Sequence, residues 1–117
     1  MKILVVEDDE NVVELFKKIL ANHTIICARD GKEGVEKYRT ERPDLVLMDV
    51  ELPKMNGVSA TREIRKIDPN AKIIAVTAYV VQRGKEILEE GAMEVIGKPF
   101  RIKDLLKKIE TLEKCKI

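Results

Sequence analysis

Short apolar runs alternate with longer amphipathic stretches along this chain. The runs Ile3 to Val6, Thr24 to Ala28, Leu45 to Met48, Ile73 to Val76 and Glu94 to Ile96 read as strands. Most are continuous rather than alternating, as expected where a strand is buried on both faces. Between them, residues recur at helical spacing. Asn11 to Ala21 carries Val12, Leu15, Phe16 and Ile19, and Lys32 to Thr40 carries Val35 and Tyr38. Gly57 to Ile67 carries Val58, Thr61, Ile64 and Arg65, Val80 to Glu90 carries Ile87 and Leu88, and Ile102 to Leu112 carries Leu105, Leu106 and Ile109. Each stretch sets polar residues opposite an apolar stripe, which predicts helices lying on a sheet.

The order is therefore (βα)5, an α/β chain. Gly31, Pro43, Pro53, Gly57, Pro69 and Gly91 fall between the runs, where turns and helix starts need special backbone geometry. A chain of this pattern fits a doubly wound fold of flavodoxin-like type, with a five-stranded parallel sheet of order 2-1-3-4-5 and helices on both faces. Its 117 residues match one domain over 1–117, large enough to bury a core without disulfides.

Composition narrows the function more than the fold. Aromatic residues make up 3% of the chain, so the core must be aliphatic. Lys plus Arg number 22 against 21 Asp plus Glu, a net charge of +1 that gives no electrostatic reason to expect nucleic acid or an anionic membrane as partner. The opening apolar run ends in Glu7, Asp8 and Asp9, too short and too acidic for a signal peptide or membrane span, so a cytoplasmic protein is expected. Cys27 and Cys115 form no CxxC pair; one buried thiol and one frayed terminal thiol are expected. His23 reads as a loop residue, and Met48 and Met55 as packing.

Candidate chemistry lies at the carboxyl ends of the strands. Strand one runs into Glu7 and Asp8, strand three into Asp49, strand four into Thr77, and strand five ends near Lys98. In the 2-1-3-4-5 order these ends converge on one rim, where open α/β sheets bind their ligands. Three carboxylates brought together repel unless a cation joins them. Hard oxygen ligands suit Mg²⁺, and a single histidine argues against zinc. A phosphoryl group arriving at Asp49 could be bridged to Asp8 through that cation, offset by Lys98 and hydrogen-bonded by Thr77. Each residue has a plain structural reading: Asp49 as a turn former before Pro53, Lys98 as a solvated charge, Thr77 as a strand-end hydroxyl. Their coincidence at neighbouring strand ends is what favours a phosphoryl-transfer site.

The segments ILVVEDDE, LVLMDVELPKMNG, VTAY and GKPF resemble, in order and spacing across the whole chain, bacterial and archaeal response-regulator receiver domains. The resemblance implies a two-component signalling module in which Asp49 is the phosphoacceptor. It implies that Asp8 binds Mg²⁺ directly, that Glu7 acts through a metal-bound water, and that the Glu51 backbone carbonyl completes the ligands. Thr77 and Lys98 match the family's switch hydroxyl and lysine, and Pro99 its cis proline. Counting from the Val-Val that ends strand one places the acidic pair at Glu7 and Asp8, leaving Asp9 to cap the first helix. Val95 stands where the family often has Tyr or Phe, a departure that puts the usual Thr–aromatic coupling in question. Tyr79 and Glu51 occupy positions that tune the lifetime of the acyl phosphate in the family.

The implied partners are a sensor histidine kinase or histidine phosphotransfer protein as phosphodonor and a downstream protein target. Phosphorylation-dependent pairing of two copies is compatible with this, and no direct nucleic-acid or membrane partner is expected. In the family the donor docks near the first helix and the lysine loop, and outputs often use the face of helix four, strand five and helix five. Such a chain is a phosphoacceptor rather than an enzyme in its own right. Two other functions share the architecture. One is a Mg²⁺-dependent phosphatase with an aspartyl-phosphate intermediate, for which Glu51 could be the second acid but no cap domain fits. The other is an FMN-binding module, which needs a Ser/Thr/Gly-rich phosphate loop after strand one, where the acidic run at residues 7–10 would instead repel the phosphate.

Overall fold

The continuous apolar runs become strands buried on both sides. The computed structural model describes residues 1–52 and 54–114, with the backbone alone at position 81. Pro53 and Cys115, singled out above, lie outside the described residues. Strands β1 (Lys2–Val6), β2 (Thr24–Ala28), β3 (Leu45–Asp49), β4 (Ile73–Thr77) and β5 (Glu94–Gly97) form one parallel sheet in the order β2-β1-β3-β4-β5. This is the doubly wound order expected from the alternation of runs. β1, β3 and β4 are the central strands, and all of β3 and β4 is buried.

Successive strand residues point to opposite faces, so each strand feeds two cores. Leu4, Val6, Val46, Met48, Ile73 and Ala75 pack with Val35 and Tyr38 of α2 (Gly31–Glu41), Val58 and Ile64 of α3 (Gly57–Ile67), and Ile87 of α4 (Val80–Glu89). Ile3, Val5, Leu45, Leu47, Ile74 and Ile96 pack on the other face with Phe16 of α1 (Glu10–Ile19) and with Leu105 and Ile109 of α5 (Ile102–Lys114). Side-chain caps start three helices. Asp9 accepts from the Asn11 N–H, Asp30 from Glu33 and Asn56 from Ser59, each filling one orphan donor of a first turn.

Three expected core residues face outward instead. Leu15, Leu88 and Leu106 are exposed, whereas Val13 and Leu20, absent from the expected stripe, are buried. Each outward Leu adjoins a buried apolar neighbour, Phe16, Ile87 or Leu105. Consecutive helical residues lie about 100° apart, so only one of such a pair can face the sheet. Cys27 is half-buried rather than buried, because β2 is an edge strand with one flank open. His23 is more than a loop residue: its Nδ1 lies 3.0 Å from the Met1 amino group and its Nε2 3.8 Å from Glu113.

Candidate functional site

Register decides which side chains meet at the carboxyl rim. Val6 pairs with Met48, Asp49 with Val76, and Thr77 with Gly97. Glu7 follows β1, Asp49 ends β3, Thr77 ends β4 and Lys98 follows β5, so the expected residues share one rim of adjacent strands. Asp49 and Thr77 are the last residues of their strands rather than the first beyond them, which fixes their backbones in the ladder.

Glu7 and Asp49 are almost fully buried, at 3% and 5% exposure, while Asp8 is exposed. One carboxylate oxygen from each of the three lies within 4.8 Å of the others. The Lys98 ammonium bridges the two buried ones, 3.2 Å from Glu7 Oε1 and 3.4 Å from Asp49 Oδ1. Asp9 stands apart as the cap of α1, and its N–H donates to Glu7 Oε2 at 3.1 Å. The acidic run thus divides as its position after the Val-Val suggested.

Burial pushes the Asp49 carboxyl up to about 7. Glu7 beside it adds to the shift through its charge and a hydrogen bond, and Lys98 and the Glu51 N–H only partly offset this. Burial acts to lower the Lys98 ammonium, but Asp49 and Glu7 outweigh it and hold the group above its ordinary value. One positive charge is therefore locked between two buried acids.

Backbone contacts hold the acceptor loop close to the sheet. The Val50 N–H donates to Val76 O at 3.2 Å and the Gly57 N–H to Val50 O at 2.9 Å, which draws the start of α3 against the end of β3. A Cβ on Gly57 would stand 2.4 Å from the Asp49 carbonyl oxygen, so the approach requires glycine. The sequence alone marks Gly57 only as a helix start; the Asn56-Gly57 pair, seven and eight residues past Asp49, is the available signal. On the other side, the Lys98 N–H donates to Thr77 O at 2.8 Å, Lys98–Pro99 is a cis peptide as the resemblance implied, and Phe100 stacks on Phe16 at 5.7 Å.

Glu51 and Thr77 are engaged with one another. The Thr77 hydroxyl donates to Glu51 Oε1 at 2.7 Å and accepts the Tyr79 N–H at 2.9 Å. The Glu51 N–H reaches Asp49 Oδ1 at 3.2 Å. The Glu51 carboxylate is thus turned toward Thr77, a contact across 26 residues that no local pattern could signal. Among the described residues no helix is long and apolar enough to cross a membrane.

Comparison with known proteins places this geometry. The response regulator receiver domain model matches residues 3–110. Chemotaxis protein CheY of Thermotoga maritima is 40% identical over 115 residues, covering 92% of this chain and 96% of that protein. A chain of the CheX–CheY–BeF3–Mg²⁺ complex of Borrelia burgdorferi superposes with a TM-score of 0.89 at 30% identity, over 96% of this chain and 88% of that one. The receiver domain of a Pseudomonas aeruginosa sensor histidine kinase, with magnesium coordinated in its active-site cleft, gives 0.89 at 31% identity over 95% of both chains. A doubly wound sheet whose carboxyl rim gathers buried acids, a lysine and a hydroxyl, in a sequence matched over residues 3–110, leaves one assignment: the chain belongs to the response regulator receiver domain family.

Proposed function

We propose that the protein accepts a phosphoryl group on Asp49 and signals through the resulting change at the rim. The observation that carries this is Asp49 itself: a strand-end carboxylate, nearly buried, with a lysine at 3.4 Å and two further carboxylates within 4.8 Å. An Asp49 carboxylate oxygen attacks the phosphorus of a phosphohistidine, the P–N bond breaks, and the imidazole leaves with the electron pair and takes up a proton. The transferred group brings negative charge, so catalysis is positioning and charge neutralisation. Lys98, already between Asp49 and Glu7, shifts its ammonium toward a phosphoryl oxygen as a point charge. Water later hydrolyses the acyl phosphate, so the protein is a phosphoacceptor that assists its own turnover and not an enzyme acting on a separate substrate.

The donor set fits Mg²⁺: Glu7, Asp8 and Asp49 offer hard carboxylate oxygens, with neither thiol nor imidazole among them. Asp8 and Asp49 would hold the ion directly, Glu7 through water, and the Glu51 carbonyl would add a further oxygen. When bound, Mg²⁺ supplies charge neutralisation between the acceptor and the incoming phosphoryl oxygens.

The donor is a histidine kinase or phosphotransfer protein, and the product is read by another protein. Exposed Val80 and Leu88 line a groove with Gly84, Lys85, Glu89 and Val95 between α4 and β5, an apolar surface suited to such a partner. Acetyl phosphate with Mg²⁺ should add one phosphoryl group, at Asp49, detected by mass spectrometry of the intact protein and its peptides. Undiminished labelling of Asp49→Ala would sink the assignment.

A further inference from the structure

Thr77 is fully buried, and its hydroxyl carries a single proton. That proton is already given to Glu51 Oε1 at 2.7 Å, while the oxygen accepts from the Tyr79 N–H. The hydroxyl has no donor left for a group on Asp49. Glu51 also touches the acceptor directly, through its N–H on Asp49 Oδ1. The same residue therefore binds both the site of modification and the hydroxyl that would respond to it.

We infer that Glu51 is a positioning residue acting through Thr77: its carboxylate holds the Thr77 proton in the unmodified protein and competes for it with the phosphoryl group. This rests on Asp49 being the phosphoacceptor. Charge gives the exchange its direction. A phosphoryl group of charge near −1.5 to −2 repels a carboxylate two residues away and is the stronger acceptor for the freed hydroxyl. Release of Glu51 and capture of Thr77 are then one event. Tyr79 carries it onward, since its N–H is bound to Thr77 Oγ1 and it is the cap residue of α4, which has no side-chain cap bond. The first turn of α4 is thus fastened to the contested hydroxyl.

The competition is measurable as a coupling between two residues. Beryllium fluoride in saturating Mg²⁺ is the probe, titrated onto the parent, Glu51→Ala, Glu51→Gln, Thr77→Ala and the Glu51→Ala/Thr77→Ala double variant, with binding read from backbone amide shifts. Glu51→Ala should bind about tenfold more tightly than the parent, the worth of one charge-assisted hydrogen bond no longer contested. In the Thr77→Ala background the same change should gain less than about threefold, the part due to repulsion alone. Glu51→Gln should fall between, keeping an acceptor for Thr77 but losing the charge, and it serves in the cycle if Glu51→Ala does not fold. The Tyr79 amide should move toward its bound position in Glu51→Ala before any fluoride is added. An equal gain in both backgrounds, or no gain, overturns the competition while leaving the acceptor site intact. Failure of the parent to bind the probe overturns the site and this inference together.

Discussion

Asp49 and Lys98 set the electrostatics of the rim residue by residue. The folded chain holds the Asp49 proton up to about pH 7, whereas an unfolded chain loses it in the ordinary carboxylate range. Between those values the native state binds more protons, so stability falls as pH rises. This contribution is complete below the unfolded value and gone above the folded one. Denaturant titrations in EDTA from pH 4 to 9 should therefore show Asp49→Asn gaining on the parent up to about pH 7 and running parallel beyond it. Parallel curves across the whole range would remove the burial and Glu7 from the account. Lys98→Ala leaves two buried acids without their cation and should cost about 2 kcal/mol in EDTA at pH 8, discounted for the partial exposure of the lysine. It should also bind Mg²⁺ several-fold more tightly by calorimetry, because the competing ammonium is gone. Loss of Mg²⁺ binding in Lys98→Ala, with Asp8→Ala unaffected, would reverse the roles assigned here.

At the scale of elements, most of the site's framework could be read from the sequence because strand ends are local features. Asp49 and Thr77 terminate apolar runs, and a parallel sheet with crossover helices leaves few ways to arrange them. What escaped reading was set by contacts distant in sequence. Which of Leu15 and Phe16 enters the core depends on how α1 sits on β1 and β3, and the Glu51–Thr77 bond depends on the β3–β4 register. Thr61 shows another such limit. It keeps helical spacing with Val58 and Ile64 and is fully buried as expected, yet its hydroxyl finds no partner among the described residues. A buried hydroxyl without a hydrogen bond is costly, and valine has nearly the same shape. Thr61→Val should accordingly stabilise the protein by about 1 kcal/mol in denaturant titration, with labelling at Asp49 unchanged. Destabilisation would mean that the hydroxyl has a partner after all.

For the whole molecule, the proposed Mg²⁺ site predicts a coupling between metal binding and global stability. Glu7 and Asp49 are buried together with one lysine to share, whereas Asp8 is exposed, so the strain of the metal-free fold lies in the first two. In EDTA at pH 8, Asp49→Ala should melt above the parent, since Lys98 then serves Glu7 alone, against the usual tendency of substitutions to destabilise. Asp8→Ala should melt close to the parent, because water already solvates that carboxylate. Mg²⁺ should reverse the ranking. An ion that binds only the native state stabilises by RT ln(1 + [L]/Kd), about 1.4 kcal/mol at ten times the dissociation constant. For a domain of this size that is roughly 5 °C in Tm. The parent should gain this amount. Asp49→Ala and Asp8→Ala each remove one of the carboxylates proposed to hold the ion and should gain little at the same concentration. Melting curves of the three proteins, in EDTA and in Mg²⁺, separate strain from binding: the first condition ranks them by repulsion among buried acids, the second by the ligands they retain. A parent midpoint indifferent to Mg²⁺, or an Asp49→Ala midpoint well below the parent in EDTA, would mean that these acids form a structural ion-pair cluster and not a metal-dependent phosphoacceptor site.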